Sequence, residues 1–105
     1  MNGTAIGALD SVVATSGKIT LTGWALDPNT SAPIAVHVYA YGEGAQSLTA
    51  NLSRTDIGRI FGKGNLHGFS GTVNALPGTH DVCVYAIDSW NGTNPKIKCQ
   101  TVTVL

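Results

Sequence analysis

Lys18-Ile19-Thr20-Leu21-Thr22-Gly23-Trp24-Ala25-Leu26 runs into Asp27-Pro28-Asn29-Thr30, and Pro33-Ile34-Ala35-Val36-His37-Val38-Tyr39-Ala40-Tyr41 follows. Both runs alternate with period two, which is the spacing of side chains on a β-strand. The Pro-containing tetrapeptide between them is a turn. In the second run Ile34, Val36, Val38 and Ala40 share one face, and Ala35, His37, Tyr39 and Tyr41 share the other. An aliphatic face backed by a polar aromatic one is the pattern of a sheet with one side packed and one side open.

The rest of the chain repeats this rhythm. A first strand is expected near residues 5–13, a weaker one at 46–50, another at 68–73, and the most β-rich ones at 81–87 and 97–105. About seven strands with Gly-, Pro- and Asn-rich punctuation predict an all-β chain, an immunoglobulin-like β-sandwich, with a small barrel as the alternative. Ser53-Arg54-Thr55-Asp56-Ile57-Gly58-Arg59-Ile60-Phe61-Gly62 departs from it, with apolar residues at helical spacing. A short helical segment near 54–61 is expected, with Ser53 as N-cap, Asp56 completing a capping box and Gly62 as the stop. It is read as crossing between the two sheets.

At 105 residues the chain is one domain, 1–105. Six basic and six acidic side chains cancel, and only 11% of residues are charged. That excludes the dense positive field on which nucleic-acid binders and polybasic membrane binders depend. No apolar run is long enough to span a bilayer, so no membrane insertion is expected. Nothing in the composition signals an oligomer, and a monomer is expected. Met1-Asn2-Gly3-Thr4 lacks the basic and apolar regions of a signal peptide. Low charge, abundant Gly, Ser, Thr and Asn, and a pair of cysteines fit a secreted, extracellular module cut from a longer protein. The Asn-x-Ser/Thr triplets at Asn2, Asn29, Asn51 and Asn91 are read as polar turns rather than glycosylation sites.

Cys83 and Cys99 fall in the last strands. A hairpin turning around Asn91-Gly92 pairs positions that sum to about 182, which sets the cysteines directly opposite each other, where a disulfide can close. The faces of that hairpin conflict. Cys83, Tyr85, Ile97 and Cys99 share a face free of Lys98 and Gln100, whereas Val82, Val84, Val102 and Val104 share the opposite one. Which of the two faces points inward stays open from the sequence; a bulge in the last strand would reconcile them.

Chemistry is sparse. His80-x-x-Cys83 lacks the paired Cys-x-x-Cys of a zinc site, and no metal or other cofactor is expected. Asp27-Pro28-Asn29-Thr30-Ser31 starts like a calcium loop, but Ala32 and Val38 stand where Gly and Glu are needed. Gly68-Phe69-Ser70-Gly71 is one residue short of a nucleophile elbow. The carboxylates are scattered, the disulfide removes a cysteine nucleophile, and no catalytic residue or enzymatic activity is expected. What remains is surface. His37, Tyr39 and Tyr41 form an outward stripe able to stack on sugar rings or peptide, unless the helical segment or a neighbouring strand covers it. Trp90 in the loop Asp88-Ser89-Trp90-Asn91-Gly92 is a further candidate contact. Arg54 is either a partner of Asp56 or of a carboxylate elsewhere, or a site for an acidic ligand group. Trp24 is expected in or near the core.

Taken together, Gly23-Trp24-Ala25-Leu26-Asp27-Pro28, Ala32-Pro33-Ile34-Ala35-Val36-His37-Val38-Tyr39, Ser53-Arg54-Thr55-Asp56-Ile57, His67-Gly68-Phe69, Gly78-Thr79-His80-Asp81-Val82-Cys83-Val84-Tyr85-Ala86-Ile87 and Lys98-Cys99 form a specific order. The set resembles the immunoglobulin-like accessory module of secreted cell-wall hydrolases and surface proteins of actinobacteria and their phages, over about residues 7–104. The resemblance implies a secreted, cell-wall-associated sandwich attached to a catalytic domain such as a peptidoglycan amidase. It implies no particular ligand. This chain departs from the pattern in the slightly basic end given by Lys63, Lys96 and Lys98. The expected function is non-catalytic binding of cell-wall glycan or another surface polymer. The alternative is a structural spacer or adhesive module.

Overall fold

A computed structural model of the chain describes residues 5–40, 44–87 and 94–105. Its elements in order are β1 (Ile6–Thr15), β2 (Lys18–Leu26), β3 (Ala35–Ala40), β4 (Gly44–Thr49), β5 (Leu52–Ser53), α1 (Thr55–Phe61), β6 (Leu66–Asn74), β7 (Gly78–Ala86) and β8 (Lys96–Val104). They form two four-stranded antiparallel sheets, β1-β2-β6-β5 and β4-β3-β7-β8. This is the layered arrangement of an immunoglobulin-like sandwich.

The alternation in sequence becomes the burial of the fold. Ile19, Leu21 and Ala25 of β2 and Phe69 and Val73 of β6 point inward from the first sheet. Val36, Val38 and Ala40 of β3 and Val82, Val84 and Ala86 of β7 meet them from the second. Fully burying side chains of this size stabilises by about 1.5–3 kcal/mol each, which offsets the backbone ordering cost. Among the described residues only Asp27 and His67 are buried polar side chains. Asp27 Oδ1 accepts hydrogen bonds from the Asn29 backbone N–H at 2.9 Å and from Asn29 Nδ2 at 3.0 Å, closing the turn after β2.

Two irregularities place side chains. In β1 the register shifts between Leu9 and Ser11, so Asp10 is an extra residue. In the β7–β8 pair the shift falls between Val84 and Tyr85, which pair with Lys98 and Lys96 and leave Ile97 as the bulge. This second bulge settles the conflict between the faces of the hairpin. The valine face is the inward one, Ile97 packs against the core, and Cys83 and Tyr85 belong to the outer face. Cys83 and Cys99 are directly paired, with a Cα–Cα separation of 4.0 Å, and form a disulfide.

The helical segment differs from expectation in detail. The N-cap is Arg54, one residue later than Ser53, and it makes no side-chain capping bond. Gly62 does end the helix, in the left-handed conformation at φ 67°, with its N–H bonded to the Gly58 carbonyl at 3.0 Å. The helix does not cross between sheets, because β5 and β6 on either side of it belong to the same sheet. Among the described residues no helix is long and apolar enough to cross a membrane.

Candidate functional site

The outer face of the second sheet is a lattice set by strand register. Ser47, His37, Tyr85 and Lys96 occupy one row across β4, β3, β7 and β8. Ala45, Tyr39, Cys83 and Cys99 occupy the next. Rows on one face lie about 6.6–6.8 Å apart and strands about 4.8 Å apart, so aromatic side chains on neighbouring positions must touch. They do so edge to face. Tyr39 and Tyr85 have ring centroids 5.4 Å apart at 83°, and His37 and Tyr39 6.4 Å apart at 78°. This is the geometry preferred by the ring quadrupole.

The result is corrugated rather than flat. A groove of about 430 Å³ is lined by His37, Tyr39, Tyr85, Ile87 and Asn94, and a smaller one of about 240 Å³ by His37, Tyr39, Ala45, Gln46 and Ser47. His37, Tyr39 and Tyr85 are half-buried. Among the described residues neither groove is lined by a carboxylate, and the polar groups that line them are phenol, imidazole, amide and hydroxyl. Such a lining offers apolar ring faces beside hydrogen-bonding tips, as a ligand with both CH and OH surfaces requires.

The sequence placed His37 and Tyr39 on this face but missed Tyr85. Once Val82 and Val84 are known to point inward, the period of two puts Tyr85 outside; the unresolved bulge hid that signal. Helix α1 lies beyond the other sheet, between β5 and β6, and leaves this stripe open. Tyr41 and Trp90 lie outside the described residues.

Arg54 is not brought to this face. It stands before α1 on the first sheet, where its side chain crosses Gly68. A Cβ on Gly68 would come within 2.7 Å of Arg54 Cγ. Its guanidinium donates to Asp56 through Nε at 3.1 Å and Nη2 at 3.0 Å, and to Asp10 through Nη1 at 2.7 Å. The β1 bulge delivers Asp10 to this contact. The pairing with Asp56, then that with Asp10, raises the guanidinium pKa, and the Arg54 hydrogen bond lowers that of the Asp56 carboxyl. Because folding lowers the Asp56 pKa, its contribution is complete above the ordinary value of 3.8 and is lost as pH falls through the depressed one. Arg54→Ala is therefore expected to flatten the acid limb of stability below about pH 4, measured by urea unfolding across a pH series.

Trp24 is not in the core. It lies on the outer face of the first sheet, half-buried, with its ring 5.2 Å from that of Phe61 in α1. Leu52, Ile60 and Leu66, from β5, α1 and β6, are exposed. Trp24 and Leu52 both flank Gly68, so these two side chains belong to one patch with Phe61.

His80, the histidine of the metal reading, is engaged. His80 Nε2 donates to the Leu76 carbonyl at 2.7 Å, and both sulfurs are in the disulfide, so no thiolate is offered. His67, buried on β6, donates from Nε2 to the Lys63 carbonyl at 2.8 Å and pins the loop after α1. The lysines of the basic end separate, Lys63 following α1 and Lys96 and Lys98 lying on β8. The chain matches no protein-family model and no curated protein sequence.

Proposed function

We propose that this chain is a non-catalytic binding module that holds to bacterial cell-wall glycan, or a related surface polymer, through the open face of the second sheet. The observation that carries the reading is the Tyr39–Tyr85 pair, packed edge to face on a sheet surface that α1 leaves uncovered. Apolar CH faces of a pyranose lie on such rings while ring hydroxyls meet the phenol, imidazole and amide tips. In this reading the module belongs to a secreted cell-wall hydrolase, and tethering raises that enzyme's effective concentration at its polymer. The disulfide supports an oxidising, extracellular setting. No cofactor and no catalysis by this chain enter the reading.

Retention on purified bacterial cell walls tests it. Wild-type protein is expected to bind saturably, and Tyr39→Ala and Tyr85→Ala each to weaken binding roughly tenfold or more, as removal of a central aromatic anchor does. Thermal unfolding of the same variants separates lost contact from lost fold. Unchanged retention in both folded variants would remove the proposed site.

A second reading has its own observation. The patch of Trp24, Leu52 and Phe61 offers apolar surface to an adjoining domain, as a structural spacer or adhesive module requires. Wall binding by neither wild type nor variant would favour it.

A further inference from the structure

The four sheet edges are not equally protected. β1 carries a charged residue at its bulge, β5 is two residues long, and β8 carries Lys96, Lys98 and a bulge. These are the devices by which sheet edges avoid pairing with other chains. β4 has none of them. Gly44–Thr49 contains no charge and no proline, and pairs with β3 without a register shift. Its Ala45, Gln46 and Ser47 are exposed.

The hydrogen-bond parity of this edge is fixed. The Ala50 N–H donates to the Ile34 carbonyl at 2.8 Å, so in the same register Leu48 and Gln46 bond to β3, and Ala45 and Ser47 turn their backbone groups away from it. On the other side of β3, Ile87 N–H bonds to the Ala35 carbonyl at 3.0 Å, which confirms that odd residues of β3 face β7. Ala45 and Ser47 therefore offer N–H and C=O groups to an incoming strand, spaced two residues apart.

We propose that β4 is a self-pairing edge, which joins a second copy of this chain antiparallel about a two-fold axis at Gln46. Ala45 then exchanges backbone hydrogen bonds with Ser47 of the second copy, reciprocally on both sides of the axis. Such a contact is self-complementary, as a two-fold interface must be. Zero net charge opposes it little, and the small Ala45 and Ser47 side chains leave room for approach. Opposed residues of an antiparallel pair share a face, so the His37–Tyr39 grooves of both copies look the same way. A polymer crossing the joined sheet then meets two grooves, which converts weak single contacts into avidity. This departs from the monomer expected from the sequence. A contact one strand long is smaller than a permanent interface, so the association is weak and concentration-dependent.

Sedimentation equilibrium from about 1 μM to about 1 mM tests it, a range that spans weak association. The expected result is a rise toward twice the 10.8 kDa chain mass. Gln46→Lys and Gln46→Glu place like charges at the axis and are each expected to weaken the dimer at least tenfold, while their equimolar mixture restores it. Ser47→Pro removes an outward N–H without touching the β3 ladder and is expected to leave a folded monomer. If that variant fails to fold, the charge pair decides. A wild-type monomer throughout the range, or a dimer indifferent to both Gln46 variants, would overturn the proposal.

Discussion

Gly23→Val is expected to lower stability by about 3 kcal/mol or more and to drop the midpoint of thermal unfolding by roughly 12 °C or more. Gly23 sits on β2 with its missing side chain directed inward, opposite Phe69 of β6 and Leu9 of β1. A Cβ there would lie 2.3 Å from the Ala8 carbonyl oxygen and 2.7 Å from Phe69 Cζ. The first obstacle is backbone, held in the β1–β2 ladder next to a bulge, and the second is a ring that is itself fully enclosed. Neither can yield without disturbing its neighbours, because packed interiors transmit strain rather than absorb it. Against a typical stability of about 5–15 kcal/mol the loss is a large share. Differential scanning calorimetry of the variant checks it; a midpoint within a few degrees of wild type would mean the ring and strand relax freely.

Opening the Cys83–Cys99 disulfide is expected to cost about 3 kcal/mol, the loop-closure value for a separation of 16 residues. The bond staples β8, an edge strand whose only sheet partner among the described residues is β7, and whose Val102, Val104 and Ile97 pack on one side of the core. Cys99 is exposed, so reductant reaches the bond in the folded protein. Reduced protein, or the double variant Cys83→Ser/Cys99→Ser, should melt roughly 10–20 °C lower. Amide exchange should accelerate first along β8, the element released by the change. Equal exchange along β2 and β8 after reduction would show that the bond stabilises globally rather than holding the edge.

Much of this arrangement can be read from residue order. The alternation from Lys18 to Leu26 coincides with β2 at both ends, because a strand buried on one face only must alternate. The disulfide follows from hairpin arithmetic, since antiparallel pairing keeps the sum of paired positions constant between bulges and the bulge at Ile97 shifts it by only one. What escaped was non-local. Trp24 reads as a residue in or near the core until Phe61, thirty-seven positions away, is known to pack on it from outside the sheet. Arg54 displaces Ser53 as the helix boundary, and its guanidinium is held by Asp10, a residue delivered by a bulge that no periodicity announces. β5 is too short to carry a pattern at all. The candidate site shared this limit: His37 and Tyr39 lie on one strand and could be read together, whereas Tyr85 joins them only through the β3–β7 register.

The same register makes the binding proposal testable position by position. Backbone amide shifts in a titration with soluble fragments of cell-wall glycan provide the most direct measurement. The account predicts saturable changes centred on His37, Tyr39, Tyr85 and Ile87, with Trp24, Leu52 and Leu66 unmoved. Changes confined to the α1 side of the molecule, or none at saturating glycan, would contradict it.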